Sequence, residues 1–254
     1  MMSRENAGIY HDKLVSLHAP QLAETDPEFL DFFGRFAFDE VAGQDGLDGK
    51  TRSMSILAAL LGCQGLEEFK IMLAAAYDSG VTPVEIKEMV YQATAYLGLG
   101  RTLPFFRAVN DFCREKGIAL PLEPTGTTSP ADRVEKGNQA QADIFGPHMK
   151  GFQNSGPEET RHINRWLAGN CFGDYYTRKG LDYNQREMIT FCFLYAQGGC
   201  ESQLMSHIEA NMNLGNDKVF LIQIISQCLP YIGYPRTLNA LRCINEVAAK
   251  RETK

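Results

Sequence analysis

Residues 96–102 read Tyr-Leu-Gly-Leu-Gly-Arg-Thr, and residues 231–237 read Tyr-Ile-Gly-Tyr-Pro-Arg-Thr. The two stretches share tyrosine, glycine, arginine and threonine at matching places, 135 positions apart. Working outward at the same spacing, Gly80 falls on Gly215 and Asn110 on Asn245. Upstream the register slips to 134 positions: Gly46-Leu47-Asp48 pairs with Gly180-Leu181-Asp182, and Arg52 with Arg186. The slip falls between Arg186 and His207, where the Gly198-Gly199 turn tolerates an inserted residue. Ordered, spaced matches of this kind mark an internal duplication.

Each copy reads as helices. Residues 52–61 and 186–196 are almost wholly apolar, as suits a central helix buried on most sides. Gly80-Val81-Thr82-Pro83 joins two further helices, with glycine as C-cap, threonine as N-cap, proline at the first helical position and Glu85 at the third. Gly215-Asn216-Asp217 provides the equivalent cap with different residues. Helices then run over 84–97 and 218–232, and a last helix over Phe105–Glu115 in one copy and Leu238–Lys250 in the other. Asp26-Pro27-Glu28 and Gly156-Pro157-Glu158-Glu159 begin the aromatic segment ahead of each copy. Period-two alternation is rare, so the fold class is all-α. The turn-rich stretch Glu123–Pro130 divides a first module, residues 1–122, from a second, residues 146–254, with a helix-like stretch Ala131–Phe145 between them.

Composition narrows the function classes. The 254 residues are 44% hydrophobic and 22% charged, ordinary for a globular protein. A net charge of −6 without any Lys/Arg run argues against a nucleic-acid partner. Met1–Tyr10 has no apolar core of a leader, and no stretch approaches the roughly 20 apolar residues of a membrane helix, so the expectation is a cytoplasmic protein without a membrane partner. Seven scattered cysteines (Cys63, Cys113, Cys171, Cys192, Cys200, Cys228 and Cys243) form no CxxC pair, so neither a disulfide framework nor a metal site is expected.

Chemistry concentrates in the second copy. Glu187 lies on its central helix, and Cys200, Gln203 and His207 follow with spacings of three and four that place them on one helix face. A thiol at a helix N-terminus gains thiolate character from the dipole, an imidazole exchanges protons near neutral pH, and a carboxylate orients it. Each residue also has a plainer use: a cysteine packs, a histidine is hydrogen-bonded in place, a Glu–Arg pair ties helices together. The duplication weighs against the plainer use, because the first copy has Ser53 for Glu187 and Met72 for His207 while keeping the glycines and core positions.

Gly180-Leu-Asp182, Arg186-Glu187, the Gly-Gly-Cys turn, Leu204-x-x-His207, Asn213-x-Gly215 and Tyr231-x-Gly233-Tyr-Pro-Arg236-Thr together resemble the carboxymuconolactone decarboxylase family. The resemblance covers about 181–247 well and 47–112 more loosely. It implies an AhpD-like helical bundle, ring-shaped hexamers for single-module members and hence a homotrimer for this two-module chain, a small-molecule substrate and no cofactor. It also implies two activities. One is decarboxylation of a lactone acid, with His207 as proton donor, Glu187 as its orienter, and Arg186, Gln203 and Arg236 on the substrate. The other is AhpD-type thiol peroxidase chemistry through Glu187, Cys200 and His207, for which Gln203 stands where the second cysteine belongs, so that an external thiol would have to resolve Cys200. A third reading, a non-catalytic assembly protein that kept the fold, stands beside them.

Overall fold

The computed structural model describes residues 22–44 and 46–253, and every regular element among them is helical. The stretch Met1–Tyr10, on which the expectation about a leader rested, lies outside the described residues. Helix α1 (Pro27–Gly34) runs on as a wider π-helical segment, Arg35–Val41. The first module continues with α2 (Gly49–Cys63), α3 (Leu66–Asp78), α4 (Pro83–Leu97) and α5 (Leu99–Glu115). After the linker comes α6 (Arg133–Phe145), then two short 3-10 turns. The second module repeats the series: α7 (Arg161–Trp166) with its π-helical continuation Leu167–Tyr176, α8 (Tyr183–Gln197), α9 (Glu201–Asn213), α10 (Lys218–Ile232) and α11 (Tyr234–Glu252). No described helix is long and apolar enough to cross a membrane.

Local chemistry explains the boundaries. Thr82 accepts from the Glu85 amide while the Glu85 carboxylate accepts from the Thr82 amide, a closed capping box. Asp182 and Gln185 close the same box at the start of α8. The last helix of each module begins earlier than the sequence suggests, at Leu99 and Tyr234 rather than Phe105 and Leu238. Gly98 (φ 80°) and Gly233 (φ 79°) end one helix and open the next with no loop between, a reversal that needs the left-handed backbone open to glycine. Helix α7 starts later than Pro157 implies, at Arg161, although the Pro157 carbonyl already turns the chain by accepting from the Thr160 and Arg161 amides.

The three divisions read from the sequence hold α1–α5, α6 and α7–α11, yet both modules share one hydrophobic core. Its centre is the crossing of α2 and α8. Gly62 sits at that crossing, where a Cβ would stand 2.7 Å from the Phe193 carbonyl oxygen and 2.8 Å from the Ala196 Cβ. The modules also exchange hydrogen bonds reciprocally. Arg186 of the second donates to Gln92 Oε1 of the first at 2.7 Å, and Arg52 of the first donates to Gln227 Oε1 of the second at 2.9 Å. Gln92 returns a bond to the Arg186 carbonyl at 2.9 Å, and Gln227 Nε2 donates to the Val41 carbonyl at 2.7 Å. Gln92 and Gln227 are themselves repeat-related, which explains why both copies keep the arginine. Glu88, 1% exposed, completes the clamp by pairing with Arg186 and Arg178 at 3.0 Å each.

Arg186→Met would leave Glu88 with the half-buried Arg178 as its ion-pair partner and the Thr125 hydroxyl at 2.6 Å, and breaking one side of a buried pair costs about 3–5 kcal/mol. Urea unfolding followed by circular dichroism should show that loss, and an unchanged midpoint would contradict the clamp.

Candidate active site

The two carriers of the candidate chemistry lie on neighbouring helices of the second module. Glu187 sits in the second turn of α8, 0% exposed, and His207 in the middle of α9, 7% exposed. Asn211, one turn after His207, straps the helices together by donating to the Glu187 and His207 carbonyls at 2.9 and 2.8 Å. The His207 Nδ1 and Glu187 Oε2 atoms are then 2.7 Å apart. The other carboxylate oxygen accepts from the Tyr176 hydroxyl at 2.9 Å. A hydrogen on Nδ1 therefore points at the carboxylate, and Nε2 is left for whatever enters beside it.

Around Glu187 the hydrogens have one consistent direction. The single hydroxyl hydrogen of Tyr176 goes to Glu187, so the Tyr96 and Thr190 hydroxyls, 2.7 and 2.8 Å away, donate to the Tyr176 oxygen. Cys171 donates its S–H to the Tyr96 oxygen at 3.8 Å, and Gln92 donates to Thr190 at 2.7 Å. Burial holds both phenols well above the usual tyrosine value, and the Glu187 charge adds to it, so they act as donors. Burial likewise pushes the Cys171 thiol up to about 12. Because Gln92 also holds Arg186, one continuous chain of bonds links the intermodule clamp to the Glu187–His207 pair.

His207 forms part of the wall of a cavity of about 540 Å³. Its ring is flanked edge-on by Phe145 at 5.3 Å and Tyr96 at 5.4 Å. The π-helical turns of the second module deliver Cys171 and Phe172 to the same wall, and α6 with the turns after it delivers Gln141, Phe145 and His148. Wide π turns at a site recur because they shift side chains out of α register. Among the described residues no arginine or lysine lines the cavity.

Cys200 and Gln203 share the cavity with His207. Cys200 is the residue ahead of α9, where its thiol donates to the Leu194 carbonyl at 3.4 Å and accepts from Gln197 at 3.5 Å. Burial pushes that thiol up in spite of Gln197 and the nearby Arg236 charge, so the thiolate expected from the helix dipole is not favoured here. Gln203 accepts from Ser202. The arginines lie elsewhere: Arg186 is wholly buried against Glu88 and Gln92, and Arg236 lies against Gly198, outside the lining. Tyr96, Tyr176, Thr190 and Gln141 escaped the sequence reading. Two left a signal there: Tyr96 as a repeat-matched position, and Thr190 as a polar residue three positions after Glu187 on a mostly apolar helix. No cluster of three or more potential metal ligands occurs among the described residues.

This is a duplicated all-helical protein in which the second copy holds a buried Glu–His pair on a cavity and the first copy supplies part of its hydrogen-bond support. The model of the carboxymuconolactone decarboxylase family matches residues 27–111 and again 162–246, and the chain belongs to that family, with two modules of it. The chain is similar to 4-carboxymuconolactone decarboxylase of Acinetobacter baylyi, 31% identical over 108 residues, which is 42% of this chain and 81% of that protein. A crystal structure from Burkholderia xenovorans LB400, provisionally assigned as a gamma-carboxymuconolactone decarboxylase subunit, shares the fold with a TM-score of 0.58. It is 19% identical, and the alignment covers 97% of this chain and 98% of that one.

Iodoacetamide alkylation of Cys200, followed by peptide mass spectrometry, should be slow at pH 7 and rise only above about pH 8.5, the ordinary thiol range. A half-maximal rate below that range would contradict the raised thiol.

Proposed function

We propose that this chain is a decarboxylase-type lyase acting on a small carboxylic acid, with His207 as the proton donor. The observation that carries the reading is the 2.7 Å Glu187–His207 contact at the wall of a cavity large enough for such a molecule. In the reaction the bond between the carboxylate carbon and its neighbour breaks, CO2 leaves, and the electron pair stays on the remaining carbon as an enolate-like anion. The His207 imidazolium protonates that carbon from Nε2 and is itself reprotonated from solvent. Glu187 positions the ring and stabilises its charged form, and Tyr176 holds Glu187 in turn. The apolar lining favours spreading the carboxylate charge into the enolate-like anion, since a concentrated charge is better solvated in water than among Phe145, Phe172 and Leu194.

The arginine clamp suggested by the sequence is not part of this mechanism. Arg186 and Arg236 do not line the cavity, so any carboxylate contact falls to neutral donors such as Gln203 and to His207 itself. Peroxidase chemistry through Cys200 is the weaker reading, since its thiol is pushed up and Gln203 brings no second sulfur.

The test is CO2 release from 4-carboxymuconolactone, the compound in the name of the Acinetobacter relative, and from related monocarboxylic lactone acids. His207→Gln should lower kcat by about 10²–10⁴ with the melting temperature little changed. Activity equal to wild type in the variant, or no CO2 from any of these acids with wild type, would sink the reading. The second result would leave the non-catalytic assembly role.

The chain is also proposed to assemble as a ring of three. Eight of the eleven exposed large apolar residues among those described come in repeat-related pairs: Phe29 with Ile163, Phe32 with Trp166, Leu99 with Tyr234, and Leu103 with Leu238. Two equivalent sticky surfaces on one chain suit a closed ring in which six modules occupy near-equivalent places. Light scattering after size exclusion should give three chains, reduced to fewer by Trp166→Glu. A wild-type monomer would refute the ring.

A further inference from the structure

Gln141 is fully buried on α6 and lines the cavity, yet neither its Nε2 nor its Oε1 has a hydrogen-bond partner. Buried polar groups are otherwise paired almost everywhere in folded proteins, because an unpaired one bears its full desolvation cost. Nothing in the fold offsets that cost for Gln141.

The helix that carries it is firmly seated. Gly137, one turn earlier, lets α6 lie on the backbone of the π-helical segment, where any Cβ would collide with the Ala168 carbonyl oxygen. Phe145, one turn later and about 6 Å along the axis, meets the His207 ring. Gly137, Gln141 and Phe145 thus share one face, and the cavity lies along it. All three fall between residues 111 and 162, outside both family matches. Part of the cavity wall beside His207 is therefore built from a segment the family pattern does not supply.

A carboxamide presents a donor and an acceptor side by side. Each of its two atoms gains a partner from a ligand group with the reverse pair: another carboxamide, a lactam, or an un-ionised carboxylic acid. A carboxylate offers only acceptors and would set its charge against Oε1 in a cavity without arginine or lysine among its described lining. A ketone or ester would leave Oε1 unpaired.

We propose that Gln141 is the specificity-determining contact of this cavity, selecting flat, largely apolar molecules that carry a neutral donor–acceptor pair in addition to any carboxylate the chemistry removes. This deepens the proposed function and rests on the same cavity being the substrate site. It sets this chain apart from an enzyme that recognises its substrate through several carboxylates.

Isothermal titration calorimetry with benzamide, acetophenone and benzoate tests it, since the three differ only in the group offered to Gln141. Wild type should bind benzamide at least about tenfold more tightly than the other two, and Gln141→Leu should lose at least about tenfold in benzamide affinity while changing acetophenone binding less than about threefold. Gln141→Leu should also raise the melting temperature of the free protein, because it removes two unpaired buried groups. Benzamide binding unchanged in Gln141→Leu, benzoate preferred over benzamide, no benzamide uptake at millimolar concentration, or a lowered melting temperature would each overturn the proposal. Discrimination as expected together with no CO2 release from any lactone acid would uphold the role of Gln141 and defeat only the decarboxylase reading.

Discussion

The carboxamide of Gln92 is the interaction on which the rest of the structure turns. It belongs to the first module, holds the buried Arg186 guanidinium of the second, and donates to Thr190 beneath the Glu187–His207 pair. A guanidinium taken wholly out of water is costly unless its donors are met, and here Gln92, Glu88 and the Arg178 carbonyl meet both terminal nitrogens, while Nε has no partner. The repeat-related Gln227 does the same for Arg52 from the opposite side. Two modules locked by this exchange have no separate cores to fall back on, and the continuous apolar cluster around the α2–α8 crossing is the result.

That locking divides the labour between the copies. The first copy has lost acid–base capacity at its own centre: Ser53 bonds Ser79 at 3.3 Å, and Met72 is an apolar filler with no exposure. It has instead become the support of the second copy's site. Its helix α4 supplies Glu88, Gln92 and Tyr96, three residues spaced by four that form one polar stripe facing α8 and the π-helical turns. The hydrogen-bond directions that hold Glu187 therefore cross the module boundary, and a second module alone would lack the Tyr96 and Gln92 donors.

The segment between the modules has a comparable role. Read from the chain it is a linker with a helix at its end, but α6 is fixed against the π-helical turns through close backbone contact at Gly137 and Gly173. It covers His207 with Phe145 and narrows the cavity, and the Asn213 side chain ties the end of α9 to the Ile144 carbonyl at 3.3 Å. An element outside the duplicated pattern thus shapes the cavity beside the Glu187–His207 pair.

The duplication, the helical class, the capped turns at Thr82 and Asp217, and the placement of Glu187 and His207 on successive helices were all legible in the chain itself, because helix periodicity and capping are short-range physics. Ser53 and Met72 further singled out the second copy. Three things were not legible. Arg186 had the credentials of a substrate contact, yet only packing reveals the glutamine and glutamate that occupy it. Cys200 stands at a helix start, yet burial rather than the dipole decides its thiol. Tyr96, Tyr176 and Gln141 are far apart in sequence, and although the repeat marks Tyr96, nothing local ties it to the site or marks the other two. Sequence alone determined which helices form and which copy carries acid–base groups; the tertiary structure decided what those groups touch, because hydrogen-bond partners and desolvation depend on how helices cross, and crossing is set by the whole core.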